Sequence, residues 1–377
     1  MLKKILLSLI ISVCYFINNF YILSAEEVDS APINILIEAT SGTVISEKNS
    51  SEKVPVGTLN KIMSALIVAE DIDAGRLSVT DEIIVGRNAN SAKGAVIWLR
   101  EGEKISVLDL IKGMVIGNAN DATITLAEHI AGSEEKFVYM MNEKAKALGL
   151  KNTTFKNCCG YDEEGQESTA WDIAMITREL IKYEWLYPIM TTWNDTVRNG
   201  ETQVVNENKL VKSFKGIIGV KAGHSEQSGN SIALASQREN ICFISVVLGA
   251  DKEERFTVAK ELINNGFSAY SVGRPHVPLK ALKPIRVKGG VKSEVKVKSD
   301  KVENIVLKNG AFKNVKIKIE IPELLEAPVL ENQELGNVIY TIDNEEIYRV
   351  KLLSSENSEK LNFFIALKLM LKNVLKM

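Results

Sequence analysis

Thr58-Leu59-Asn60-Lys61-Ile62-Met63-Ser64-Ala65-Leu66-Ile67 is the stretch on which the fold of this chain turns. Leu59, Ile62, Met63, Leu66 and Ile67 recur at i, i+3, i+4, i+7 and i+8, the stripe of a helix packed on a core. Thr58 and Lys61 stand three residues apart on it, so a hydroxyl and an ammonium share one face, one turn apart. Alone, a Thr-x-x-Lys on a helix is ordinary surface chemistry, and its context decides whether it is more. Upstream, Ile33 to Ile37 alternates apolar and polar residues, turns through Thr40-Ser41-Gly42-Thr43 and resumes at Val44-Ile45, which predicts a β-hairpin. Downstream, helical patterns run from Val107 to Ile116, Ala119 to His129, Glu135 to Leu148 and Thr169 to Tyr183. Strands follow near Gly219 to Lys221, Ser231 to Ser236 and Ile241 to Leu248, the last two joined by the loop Gln237-Arg238-Glu239-Asn240. Strands at both ends with helices between predict an α+β domain, helices packed on an antiparallel sheet that the terminal strands share.

The pattern changes after Tyr270. Arg274-Pro275-His276-Val277-Pro278 reads as a linker. Val295-Lys296-Val297-Lys298 and Val315-Lys316-Ile317-Lys318-Ile319-Glu320-Ile321 then show period two, with one apolar and one charged face. A small all-β domain is expected there, with no catalytic cluster of its own. At the start, Met1-Leu2-Lys3-Lys4, the apolar run Ile5 to Phe16 and Leu23-Ser24-Ala25 read as a signal peptide, since the run is shorter than the roughly 20 residues of a spanning helix. At the end, residues 360–377 are dense in Leu, Phe, Ile and Met, and Lys368, Lys372 and Lys376 share a face at four-residue spacing. That suits an interfacial helix on an anionic membrane surface, although Leu361, Ile365 and Leu369 fall near the lysines on a helical wheel. The expected organisation is a signal peptide over 1–25, a first domain over 31–272, a β domain over 275–353 and an amphipathic anchoring helix over 356–377.

A length of 377 residues and 45% hydrophobic residues support two well-formed cores, and a net charge of −2 gives no electrostatic case for nucleic acid as a partner. Cys158, Cys159 and Cys242 remain after the signal peptide, an odd number without a zinc spacing, and read as core thiols. The three histidines, His129, His224 and His276, form no H-x-x-x-H pair, and no nucleotide-binding glycine loop is present. No metal and no cofactor is expected.

Besides Thr58-Leu59-Asn60-Lys61, two short segments stand out: Asn118-Ala119-Asn120, followed by Asp121-Ala122, and Lys221-Ala222-Gly223-His224. With Gly75-Arg76-Leu77, Trp98-Leu99-Arg100-Glu101-Gly102-Glu103, Ala145-Lys146-Ala147-Leu148-Gly149-Leu150, Asn152-Thr153-Thr154-Phe155, Ser168-Thr169-Ala170 and the stretch from Gly216 to Gly223, the chain resembles the low-molecular-mass penicillin-binding proteins that act as D-alanyl-D-alanine carboxypeptidases. The resemblance runs from about Ile33 to beyond Gly336. It implies a penicillin-binding, β-lactamase-like domain, then a small β domain and a membrane-anchoring helix, in a protein exported to the outer face of the cytoplasmic membrane. It also implies peptidoglycan stem peptides as substrate and β-lactams as a further ligand class.

The family motifs are Ser-x-x-Lys, Ser-x-Asn and Lys-Thr-Gly. Here the usual hydroxyl residue of each is replaced, by Thr58, Asn118 and Ala222, while the second anchor is kept. Thr58 stands at the nucleophile, with Lys61 as the base whose pKa burial must depress. Asn118 stands where the family has a serine, and its carboxamide has no readily transferable proton. The resemblance assigns substrate binding to Asn120, Lys221 and Gly223, with Lys221 taking the terminal carboxylate. Ala222 lacks the hydroxyl that would assist, and Ser225 lies nearby. Two functions therefore stand: a serine-type carboxypeptidase that trims the terminal D-alanine through an acyl-enzyme, or a weak or inactive relative that binds cell-wall peptide or a partner in the same cleft.

Overall fold

Strand β1 (Ile33–Glu38) is buried along its whole length, where the alternating sequence predicted one covered face. Its polar members are satisfied locally. Asn34 donates to the Ala31 carbonyl at 3.4 Å, and Glu38 accepts from the Thr40 and Ser41 N–H groups at 2.9 and 2.7 Å. The computed structural model describes residues 31–278 and 282–374, so the expected signal peptide lies outside the described residues.

β1 is the second strand of a five-stranded antiparallel sheet, ordered β2 (Val44–Lys48), β1, β5 (Ile241–Ala250), β4 (Gly229–Arg238), β3 (Ile217–Ser225). The first strand pairs directly with the last, Ile33 opposite Leu248 and Glu38 opposite Phe243, as the two-ended pattern predicted. β4 and β5 extend further than the sequence suggested, leaving only Glu239 and Asn240 between them, with Glu239 at φ 52°.

On one face lie helices α1 (Lys61–Asp73), α2 (Val107–Val115), α3 (Asn120–Ala131), α4 (Glu134–Ala147) and α5 (Ala170–Leu180). The α1 stripe is the centre of this core: Leu59, Ile62, Met63, Leu66 and Ile67 are all buried, each worth roughly 1.5–3 kcal/mol of transfer free energy. α6 (Glu254–Ala269) was not anticipated. Ser245 Oγ donates to the Ala259 carbonyl at 3.0 Å from the face opposite Ile35, and this second covering is why β1 is buried on both sides.

The chain divides into two compact units, the second taking up at Gly266. That unit holds a four-stranded antiparallel sheet of β7 (Val297–Ser299), β10 (Glu345–Ser354), β9 (Glu334–Ile342) and β8 (Lys316–Glu320). Val338, Tyr340, Val350 and Leu352 form its buried face. A smaller sheet is built on β6 (Ile285–Lys288). The unit closes with α7 (Phe363–Val374), whose first turn is capped by Asn362 Oδ1 accepting from the Ile365 N–H at 2.9 Å.

Candidate active site

Thr58 does not sit on the α-helix proper. It lies in the 3-10 turn Gly57–Asn60 that leads into α1. Gly57 has φ +52°, and a Cβ there would fall 2.0 Å from the His224 carbonyl oxygen, so only glycine lets this turn press against β3. The contact brings the His224 N–H to Thr58 Oγ1 at 3.3 Å. A second donor, Asn118 Nδ2, approaches the same oxygen at 3.4 Å.

Lys61 is buried, and its amine donates to Asn120 Oδ1 and to the Cys159 carbonyl, both at 2.6 Å. Burial lowers its pKa, while Cys159, Cys158 and Glu207 act in the opposite direction. Asn120 is itself fixed, since its Nδ2 donates to the Lys93 carbonyl at 2.7 Å and its oxygen must therefore face the lysine. Thr58, Lys61, Asn118 and Asn120 are thus gathered from the first turn and from the entrance to α3. Asn118, at φ 59°, does not cap α3: that position belongs to Ala119, and the Asn118 amide turns instead to Thr58 and to Glu207 Oε2 at 3.1 Å. Asn118 Oδ1 is buried without a partner, an arrangement that costs about 1–3 kcal/mol.

The third segment lies on β3. Lys221 is buried and directs its amine inward, to the Met114 and Val115 carbonyls at 3.1 and 3.3 Å, at the C-terminal end of α2 where the helix dipole favours a cation. Burial, and then the neighbouring Lys61, push its pKa down to about 7. Gly223 backs directly onto Thr58: a Cβ there would fall 2.6 Å from Thr58 Oγ1. Ser225 does not stand in for the hydroxyl missing at Ala222, because its own hydroxyl donates to Asp162 Oδ2 at 3.0 Å.

Two charged residues that the sequence did not mark complete the site. Arg255, from the start of α6, is 1% exposed and donates to the Gly223 and Ser231 carbonyls at 2.5 and 3.1 Å. Its Nη2 pairs with Glu207 Oε1 at 2.8 Å. No local pattern distinguishes Arg255 from other surface-type arginines, and Glu207 sits in a polar loop. Beneath Lys61, Cys158, Cys159 and Glu134 bring potential metal-binding atoms within 4.8 Å of one another. The Cys158 thiol is held well above its usual pKa by its hydrogen bond to Cys159 and by burial, which keeps it protonated rather than a ready ligand.

Over residues 22–252 the chain matches the family model described as D-alanyl-D-alanine carboxypeptidase, and over 277–360 the model described as penicillin-binding protein 5, C-terminal domain. It is 34% identical over 349 residues to D-alanyl-D-alanine carboxypeptidase DacF of Bacillus subtilis, covering 91% of this chain and 89% of that protein. Penicillin-binding protein 5 from Haemophilus influenzae superposes with a TM-score of 0.80 at 28% identity, covering 88% of this chain and 98% of that one. Penicillin-binding protein D2 from Listeria monocytogenes, in an ampicillin-bound form, superposes with a TM-score of 0.57 at 28% identity, covering 63% and 97%. With a Thr-Lys-Asn cluster packed beside a five-stranded sheet, and matched along most of its length by such proteins, the chain belongs to the D-alanyl-D-alanine carboxypeptidase family of serine-type hydrolases in peptidoglycan metabolism.

Proposed function

We propose that this chain is itself a D-alanyl-D-alanine carboxypeptidase that uses Thr58 as nucleophile and Lys61 as base. The observation that carries this reading is the Thr58 hydroxyl, which faces the His224 N–H at 3.3 Å and lies one turn from a buried lysine of lowered pKa. An amine that gives up its proton more readily is a base able to accept one from a hydroxyl. Lys61 takes the Thr58 proton, Oγ1 bonds to the carbonyl carbon before the terminal D-alanine, and the carbonyl oxygen becomes an oxyanion. The His224 N–H, already aimed at this spot, is a backbone donor for that charge. The C–N bond then breaks, the departing amine takes up the proton, and water hydrolyses the ester to regenerate Thr58. Asn120, Lys221 and Gly223 line the path of the substrate, a peptidoglycan stem peptide. β-Lactams, which acylate such sites, are the second ligand class, in keeping with the ampicillin held by the Listeria relative.

One observation favours a catalytically weak, peptide-binding relative. The Lys61 amine donates to Asn120 Oδ1 and the Cys159 carbonyl, and the Lys221 amine is committed to the interior. Incubation with a fluorescent penicillin separates the two readings. Covalent labelling of the wild type, lost in Thr58→Ala, together with D-alanine release from a diacetyl-Lys-D-Ala-D-Ala peptide, is the expected result. Absence of both label and release leaves only the binding reading.

The place of action in this proposal is the outer face of the cytoplasmic membrane, reached by export. Among the described residues no helix is long and apolar enough to cross a membrane. α7 nevertheless presents Phe363, Phe364, Leu367, Met370 and Leu371 to solvent, which supports attachment at the membrane surface.

A further inference from the structure

Glu207 comes from a segment held on both sides. The flanking Asn206 and Asn208 are buried, with Asn206 Nδ2 donating to the Met190 and Thr192 carbonyls at 3.1 and 3.0 Å and Asn208 Oδ1 accepting from the Leu210 N–H at 3.2 Å. The Asn208 N–H closes a turn onto Asn206 Oδ1 at 2.9 Å, and with both asparagines buried the exposed Glu207 between them turns its side chain to Asn118 and Arg255. Its carboxylate accepts at both ends: Oε1 from Arg255 and Oε2 from Asn118 Nδ2.

We propose that Glu207 is a positioning residue for the Thr58 reaction, holding the Asn118 carboxamide with its NH2 group toward the Thr58 oxygen. An ionised carboxylate only accepts, so it can pair with the amide nitrogen and not with the amide oxygen. The same nitrogen is the one that reaches Thr58 Oγ1, and Asn118 Oδ1 is left without a partner. With the Asn118 amide and the His224 N–H both donating to Oγ1, the hydroxyl proton has neither group as its acceptor. That proton stays available to a base, and the charge growing on Oγ1 meets two donors. Were the amide turned over, Oδ1 would accept the Thr58 proton and withhold it from Lys61. Through Arg255, which holds the Gly223 carbonyl, the same carboxylate also ties the Asn118 side of the cleft to β3. The charged groups that face it are Arg255 from α6, Lys61 from α1 and Lys221 from β3.

This inference rests on the hydrolase reading above, and Glu207→Gln in the full chain tests it separately. Glutamine matches glutamate in size but has one acceptor and one donor end. If its oxygen serves Arg255, its NH2 faces Asn118 and turns the Asn118 amide over. The measurement is the second-order rate of labelling by a fluorescent penicillin across pH, with the melting temperature alongside. The expected result is a fall of roughly tenfold to a hundredfold in labelling rate with the melting temperature little changed. The rising limb also moves to lower pH, because the negative charge that raises the Lys61 pKa is gone. An unchanged rate overturns the role of Glu207, and so does a fall that tracks a loss of stability with the limb unmoved. A wild type that takes no label defeats the hydrolase reading, and this one falls with it.

Discussion

At Gly223 the fold leaves no room for a side chain. A Cβ would lie 2.6 Å from Thr58 Oγ1 and 3.1 Å from the Leu59 N, so it displaces either the Thr58 hydroxyl or the backbone of its turn. We expect Gly223→Ala to slow penicillin labelling by about a hundredfold while the chain still folds, since an ångström of misplacement is enough for such a loss. Labelling at the wild-type rate, measured by gel fluorescence over time, would show that the turn relaxes without consequence. The lysines, both asparagines and the glycine of this cluster were named from the sequence through its resemblance to a known family, because they stand in short contiguous motifs. Glu207 and Arg255 were not. They belong to the site only through contacts with Asn118 and Gly223, 89 and 32 positions away, and no periodicity encodes a contact at that separation.

β3 carries a lysine whose environment works against its charge. In the unfolded chain the Lys221 amine keeps its proton up to about 10.5, whereas burial in the folded chain releases it near about 7. Between those values the unfolded state holds more protons, so stability rises with pH from about 7 to about 10.5. Below about 7 both states are protonated, and the cost of the buried ammonium is fully present. Lys221→Met should therefore raise the melting temperature at pH 6 by a few degrees (~1 kcal/mol corresponds to roughly 2–4 °C in a domain of this size) and flatten its rise above pH 7. A melting curve in which wild type and variant keep the same pH slope would contradict this. The helices α1 to α5 and the strands β3 to β5 follow apolar periodicity and were legible within a few residues. α6 was passed over although Phe256, Val258, Ala259, Leu262 and Ile263 form a buried stripe. Polar residues between them dilute the pattern in the linear chain.

At the scale of the whole molecule, the proposed membrane attachment rests on the tail. α7 leaves Phe363 75% and Phe364 79% exposed, and Lys368 is exposed beside them. The side chains of Lys372 and Lys376, the rest of the expected basic face, lie outside the described residues. Removing residues 361–377 should abolish co-sedimentation with vesicles containing phosphatidylglycerol while leaving the rate of penicillin labelling in solution unchanged. Retained vesicle binding by the shortened chain would place the attachment elsewhere. The sequence by itself determined the α+β order of elements, the sharing of one sheet by its first and last strands, and the family through Thr58, Lys61, Asn118, Asn120, Lys221 and Gly223. The element order and the shared sheet follow from local apolar patterns that burial requires, and the family from short contiguous motifs. Tertiary structure alone decided where the polar atoms of those residues point. The Lys61 amine turns to Asn120 and Cys159, the Lys221 amine to the end of α2, and the Asn118 amide to Thr58 under the hold of Glu207. Hydrogen-bond direction depends on which distant acceptor folding brings within about 3 Å, and that is a property of the packed chain rather than of any one stretch of it.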